Sequence, residues 1–251
     1  NANDTNVYPR GWFVMEQLRR CNERVRPDKS SLPIFLTHPK KIPKIIHQLW
    51  LGDNEMPEHC KRFVEEMKKL HPDYEHHLWG NEVFEEKYKD DKFLQNYTKE
   101  PELYKWAFIC DRIRLLLLRD HGGIYVDVDA KPIKSFNTVL DRLNPQHTFV
   151  SGMKPSQENN TLIDCTVYIA APNSRMVNEC LTTYNDIYWA NGCRMFNDKI
   201  IEQMDTDVAL LSYEYFYDSK IGPKTVILHD ITDTRLLSWT DNPEARKPEN
   251  W

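Results

Sequence analysis

An α/β fold is what this sequence predicts, and three stretches predict it. Pro43 to Trp79 reads strand, helix, strand. Asp111 to Asp129, DRIRLLLLRDHGGIYVDVD, reads helix, stop, strand without a gap. Thr148 to about Trp189 adds two strands and another helix. Apolar spacing that alternates between a period near 3.6 and a period of 2 is the pattern of helices packed on a sheet. A chain of 251 residues suits one such domain, and 40% hydrophobic residues with 12% aromatics supply its core.

Residues 1–40 are expected to form an extension, partly helical from Gly11 to Val25, where Trp12, Phe13, Met15 and Leu18 make an apolar stripe. The domain proper is assigned to 41–240 and a polar tail to 241–251. Its first strand is Pro43 to Trp50. A helix opened by proline follows from Pro57 to Leu70, with Cys60, Phe63, Val64, Met67 and Leu70 on its buried side. The second strand is Tyr74 to Trp79, and 81–99 is polar and partly helical. His47, inside the first strand, reads as a hydrogen-bonded structural histidine.

In the central stretch Asp111 and Arg114 are three residues apart, so a helix carries them on one face. Ile113 and Leu115 to Leu118 supply the buried side. Gly122-Gly123 lets the chain leave the helix through a left-handed conformation. Ile124, Val126 and Val128 then share one strand face, and Tyr125, Asp127 and Asp129 the other. Two neighbouring carboxylates repel unless a cation lies between them, and hard divalent ions such as Mn²⁺ or Mg²⁺ take oxygen ligands. Asp-x-Asp alone is cheap, however: Asp205-Thr206-Asp207 is a second copy without the alternation or the glycine lead-in, and it reads as a solvated turn.

Beyond Asp129, Pro132 is expected to stop the strand. Then come a short helix at Asn137 to Leu143, a strand at Thr148 to Gly152, an exposed loop at Met153 to Asn160, a strand at Cys165 to Ala171 and a helix from Arg175. Tyr213, Tyr215, Phe216 and Tyr217 read as packing residues, and Thr225 to Leu228 is the last strand.

The net charge of -5 argues against a general nucleic-acid binder, and no run approaches the roughly 18 apolar residues of a membrane span. The six cysteines have no C-x-x-C spacing, which argues against zinc and leaves disulfides open. Compartment stays open too: the Golgi lumen if an upstream anchor was removed, otherwise the cytoplasm.

The spacing of Asp111, Arg114, Gly122, Gly123, Tyr125, Asp127 and Asp129 resembles the core signature of the DxD-containing sugar transferases. These are glycosyltransferase family 32 and its relatives, including the yeast initiating α-1,6-mannosyltransferase, α-1,4-galactosyltransferases and the catalytic domains of large clostridial glucosylating toxins. The resemblance implies a GT-A fold, a Rossmann-like mixed sheet flanked by helices. It implies a retaining hexosyltransferase that uses a nucleoside-diphosphate sugar, UDP- or GDP-linked, a glycan or other hydroxyl acceptor, and Mn²⁺ or Mg²⁺. By the same resemblance Asp129 binds the metal, Asp127 acts at the metal through water or at the ribose, and Asp111 with Arg114 holds the donor sugar. Tyr125 lines that pocket.

The segment IPKIIHQLWLG also resembles the family, whose first strand meets the nucleotide at its end, here Leu49 and Trp50; Trp50 would stack on the base. Asp164 stands where the family commonly has an asparagine facing the sugar, and a carboxylate can still accept from sugar hydroxyls. A late histidine and a Ser-Trp pair, His229 and Ser238-Trp239 here, would close over metal and phosphate. The alternatives are a catalytically silent sugar-nucleotide binder and a haloacid-dehalogenase-like phosphatase. Against the phosphatase stand Lys131, where that class carries Thr or Val, and the helix that precedes the strand.

Overall fold

The computed structural model describes residues 41–97, 102–155, 161–182, 196, 199–217 and 221–228. The predicted helix from Gly11 to Val25, His229, Ser238, Trp239 and the tail lie outside them. In chain order the elements are β1 (Ile45–Leu49), α1 (Glu58–Leu70), β2 (Glu75–Trp79), a π-helical turn (Val83–Lys87), α2 (Lys92–Tyr97), α3 (Glu102–His121) and β3 (Gly123–Val126). Then follow β4 (Lys131–Pro132), α4 (Asn137–Leu140), β5 (Phe149–Pro155), β6 (Thr161–Ala170), α5 (Arg175–Thr182), β7 (Val208–Leu211) and β8 (Ile227–Leu228).

Six strands form one mixed sheet in the order β2-β1-β3-β6-β5-β7, and β4 pairs with β8 beside it. β2, β1 and β3 are mutually parallel; β6 is antiparallel to both β3 and β5; β7 is parallel to β5. One row of partners, His77, His47, Tyr125, Tyr168, Ser151 and Leu210, crosses all six strands. Both faces are covered. Leu49, Tyr125, Phe149 and Tyr168 pack with Ile113, Leu115 and Leu118 of α3 and Met176 and Val177 of α5. On the other face Ile46, Ile124, Val126 and Val167 pack with Met67 of α1, Phe136 and Phe216. The alternation read from Ile124 to Val126 is therefore real, with Tyr125 on one face and its neighbours on the other.

The chain leaves α3 as expected. Gly122 and Gly123 have φ of 66° and 97°, and a Cβ on Gly123 would lie 2.5 Å from the Ile45 carbonyl oxygen. α1 begins after Pro57, and Cys60, Phe63, Val64 and Met67 face the core, with Leu70 half-buried. His47 is structural: it is buried, Trp79 Nε1 donates to its Nδ1 (3.2 Å), and its Nε2 lies 3.0 Å from the Gly122 oxygen. Burial lowers its pKa to about 4.

Four expectations need correction. β3 stops at Val126, and Asp127 to Asp129 form a turn closed by Ala130 N–H donating to Asp127 O (3.2 Å). Asp127 N–H still donates to Thr166 O on β6 (3.0 Å), the last rung of that ladder, and the chain then curls into the turn. Pro132 does not end pairing but sits in β4, where the ladder to Ile227 needs no proline donor. Met153 to Pro155, expected as loop, continue β5 as a hairpin with β6. Finally, α3 has no exposed face between Asp111 and Leu118, because α2, α5 and the sheet surround it. β7 was not anticipated at all: VALL is four residues long, below the length at which alternation is legible. No helix among the described residues is long and apolar enough to cross a membrane.

Candidate active site

β1 connects through α1 to β2 on one side and, by way of α3, has β3 on its other side. Strand order therefore reverses at β1/β3, and the crevice beyond the carboxyl ends of such strands is where open α/β sheets bind ligands. Trp50 follows β1 at that edge and Asp127 follows β3. Since His47 and Tyr125 are partners, Leu49 and Asp127 lie level.

Behind the turn a buried polar network fixes Asp127. Arg114 Nη2 pairs with Asp111 Oδ1 at 2.8 Å, one helical turn back, and Arg114 Nη1 lies 3.5 Å from Asp127 Oδ1. Nη1 also donates to the Cys165 carbonyl (2.5 Å) and Nε to the Cys110 carbonyl (3.4 Å). Tyr125 Oη–H donates to Asp127 Oδ1 (2.6 Å), and the guanidinium lies over the Tyr125 ring, 4.5 Å from its centre. Burial alone would lower the Arg114 pKa, but Tyr125, Asp127 and Asp111 around it outweigh that and hold it above its usual value. Burial pushes the Tyr125 hydroxyl well above its ordinary range, with Asp127 adding to the effect, so it stays a donor. Charge-assisted bonds of this kind in a low dielectric are strong and leave the carboxylate one orientation.

Asp129 sits on the far side of the turn beside α1, and its charge, after burial, helps push the Cys60 thiol up to about 12. Asp111, Asp127 and Asp129 set against Arg114 leave an excess of negative charge at the edge. Among the described residues no three His, Cys, Asp or Glu side chains converge as a ready metal cage. A pair of carboxylates that leaves most of the shell to phosphate and water is the donor set Mg²⁺ and Mn²⁺ accept, so the residues fit such an ion.

The remaining sequence candidates divide. Trp50 packs with Met56 against Cys60, Val64 and Val128, and its Nε1 donates to Asn54 O (2.8 Å). The Leu49 side chain is buried in the core, so only its backbone faces the edge. Asp164 lies within β6, and its side chain is outside the described residues, as are His229, Ser238 and Trp239. The structure thus brings together Asp111, Arg114, Tyr125, Asp127 and Asp129, with Trp50 beside the turn. Sequence reasoning missed the Thr166 and Cys165 carbonyls and Cys60. Backbone acceptors leave no residue-type signal, and Cys60 was assigned only to the buried side of a helix. Cys165 is disulfide-bonded; Cys60, Cys110 and Cys180 are free.

Residues 57–150 match the model of the glycosyltransferase sugar-binding region containing the DXD motif, a segment that holds Asp111, Arg114, Asp127 and Asp129. Over this segment the chain is similar to the DXD glycosyltransferases. Among relatives, an uncharacterized glycosyltransferase of Acanthamoeba polyphaga mimivirus is 26% identical over 218 residues, 79% of this chain and 84% of that protein. Inositol phosphoceramide mannosyltransferase 3 of Schizosaccharomyces pombe is 35% identical over 132 residues, 52% of this chain but only 35% of the yeast protein's length. Among solved structures the PaToxG glycosyltransferase aligns with a TM-score of 0.49 at 19% identity, over 77% of this chain and 79% of that one.

Proposed function

We propose that this chain transfers a sugar from a nucleoside-diphosphate sugar, UDP- or GDP-linked, to a hydroxyl of a glycan or glycoconjugate, with retention at the anomeric carbon. The observation that carries this reading is the Asp127–Asp129 turn at the β1/β3 switch point, backed by the buried Asp111–Arg114 pair.

Asp129 and Asp127 would hold Mn²⁺ or Mg²⁺, which when bound supplies positive charge where the departing diphosphate gains its negative charge. The protein's own groups do the rest. Arg114, kept cationic and locked by Asp111, Asp127 and the Cys165 carbonyl, offers fixed charge that needs no reorganisation during reaction. Asp111 would hold the donor sugar's hydroxyls and align the anomeric carbon. Tyr125 positions Asp127 through its hydroxyl. Retention follows from the family resemblance, and a front-face route in which the leaving phosphate takes the acceptor proton needs no protein nucleophile.

The fission yeast relative's name makes mannose the first sugar and inositol phosphoceramide the first acceptor to try. The Cys165 disulfide favours an oxidising compartment, in line with the Golgi lumen. The DXD family match over 57–150 supports a sugar transferase over the phosphatase alternative. The test is donor hydrolysis across UDP- and GDP-sugars with Mn²⁺, with Mg²⁺ and with chelator. Release of one nucleoside diphosphate, lost on chelation, is expected. Metal-dependent nucleotide binding without turnover of any donor or acceptor pair identifies a silent binder instead, and no nucleotide binding sinks the reading.

A further inference from the structure

We propose that Tyr213 is an acceptor-binding residue, an aromatic platform on which a saccharide ring of an extended acceptor stacks at a distance from the reacting hydroxyl. The inference rests on the glycosyltransferase reading above and adds the acceptor side to it.

Strand direction brings Tyr213 to the catalytic edge. β3 runs toward the Asp127–Asp129 turn, β6 runs back, β5 returns, and β7 runs alongside β5. The carboxyl end of β7 therefore emerges where β3 does. The register gives the height of the strand ends: Tyr125 and Leu210 share one row, so β3 and β7 end level at Val126 and Leu211, and Tyr213 opens the turn just beyond Leu211. Laterally Tyr213 is three strands from β3, which at the usual strand spacing is about 14 Å. That exceeds the reach of the ring receiving the sugar, so the residue serves a part of the acceptor further along.

The tyrosine is held out rigidly. Its carbonyl accepts from Phe216 N–H (3.2 Å) and Tyr217 N–H (2.8 Å), closing the 3-10 turn Tyr213–Tyr215. Phe216 and Tyr217 are buried against Gly152, where any side chain would meet them at 2.6 and 2.9 Å. On the turn's outer side Ser212 Oγ–H donates to Glu214 Oε2 (3.1 Å), and Lys224 Nζ donates to the same oxygen (2.6 Å). The neighbouring aromatics are spent on packing, while Tyr213 stays 46% exposed. An exposed aromatic ring carried on a hydrogen-bonded turn, near a carboxylate and an ammonium, suits a sugar ring: its C–H face lies on the arene and its hydroxyls meet the charged pair. Binding energy collected at a remote ring orients the reacting one.

The experiment compares wild type, Tyr213→Ala and Tyr213→Phe with gluco- and manno-oligosaccharides of one to four rings as probes. It reads transfer by mass spectrometry and donor hydrolysis by nucleotide release. Wild type is expected to show kcat/KM that rises with acceptor length. Tyr213→Ala should abolish that rise, a loss of about tenfold with the longest probe, while leaving hydrolysis and the single-ring rate unchanged; Tyr213→Phe should retain it. An equal fall for short and long acceptors, no length dependence in wild type, or transfer to inositol phosphoceramide and to no saccharide each overturns the assignment. Absence of donor hydrolysis in wild type is a different failure, that of the glycosyltransferase reading itself.

Discussion

The chain carries Asp-x-Asp twice, and the two copies lie at opposite edges of one sheet. Asp127–Asp129 follow the end of β3, whereas Asp205–Asp207 precede the start of β7, which runs the same way. Their partners differ accordingly. Asp127 is clamped by Tyr125 and Arg114 inside a buried network. Asp207 pairs at 2.7 Å with Arg175, a half-exposed surface residue, and accepts from Thr148 Oγ1 (3.3 Å), while Asp205 Oδ1 caps Thr206 N–H (2.7 Å). The same Asp-x-Asp pattern thus sits over a buried ionic network at one edge and closes a turn at the other. What separates them is the end of the strand each adjoins and what lies beneath it.

The largest contrast is expected in turnover. Asp129→Ala should lower donor turnover on the order of a thousandfold, the scale of losing a charged transition-state contact, and should abolish any rise in Tm that Mn²⁺ gives with bound nucleotide. A variant that keeps more than a tenth of wild-type turnover would show the first edge to be as incidental as the second. The network behind the turn sharpens this. Arg114→Met leaves Asp111 buried and Asp127 half-buried without the Arg114 cation, so unfolding free energy should drop by about 3 kcal/mol. Urea denaturation measures it, and a drop below about 1 kcal/mol would mean the pair behaves like a surface ion pair.

How much of this contrast was legible beforehand depends on range. The helix, the glycine stop and the alternation around Tyr125 are local patterns, and Asp111 with Arg114 on one helix face follows from spacing alone. The early end of β3 was not readable, because the turn that follows it is closed by Ala130 N–H donating to the Asp127 carbonyl, a backbone contact that the alternating apolar pattern through Val128 does not mark. The reversal of β6 was equally hidden: no residue in LIDCTVYIA states whether its neighbour runs with or against it. Yet that reversal decides which edge Tyr213 and Asp205–Asp207 occupy. Local periodicity gave the elements, and non-local pairing gave the edges.

A third effect separates the edges by pH. His47 shares its row with Tyr125 but faces the turn-out at Gly122, away from the aspartates. Burial, partly offset by the Gly122 carbonyl and reinforced by His121 and His77, depresses its folded pKa to about 4. A depressed pKa means the unfolded chain binds the proton first, so stability present above pH 6.5 is lost as pH falls toward 4. For His47 alone that amounts to about 3 kcal/mol by pH 4. Burial lowers His76 to about 4 and lowers His71 as well, which adds in the same direction. Thermal unfolding from pH 7.5 to 4.5 in wild type and His47→Gln should show a shallower acid slope in the variant. Identical slopes would remove His47 from the account.

The smallest effect belongs to the second copy. Asp207→Ala removes the Arg175 pair and the Thr148 contact but leaves Arg175 its bond to the Gln203 carbonyl (2.9 Å). A partly exposed ion pair contributes about 0.5 to 1 kcal/mol, which in a chain of this size lowers Tm by about 1 to 4 °C. Donor turnover below that temperature should equal wild type, because nothing at the amino-terminal edge of β7 reaches the crevice beyond β3. Measured beside Asp129→Ala under the same metal and donor, this variant carries the comparison alone. Two copies of one Asp-x-Asp pattern should differ by orders of magnitude in turnover, and a matching collapse in Asp207→Ala would show that the strand end each copy adjoins does not decide which one is functional.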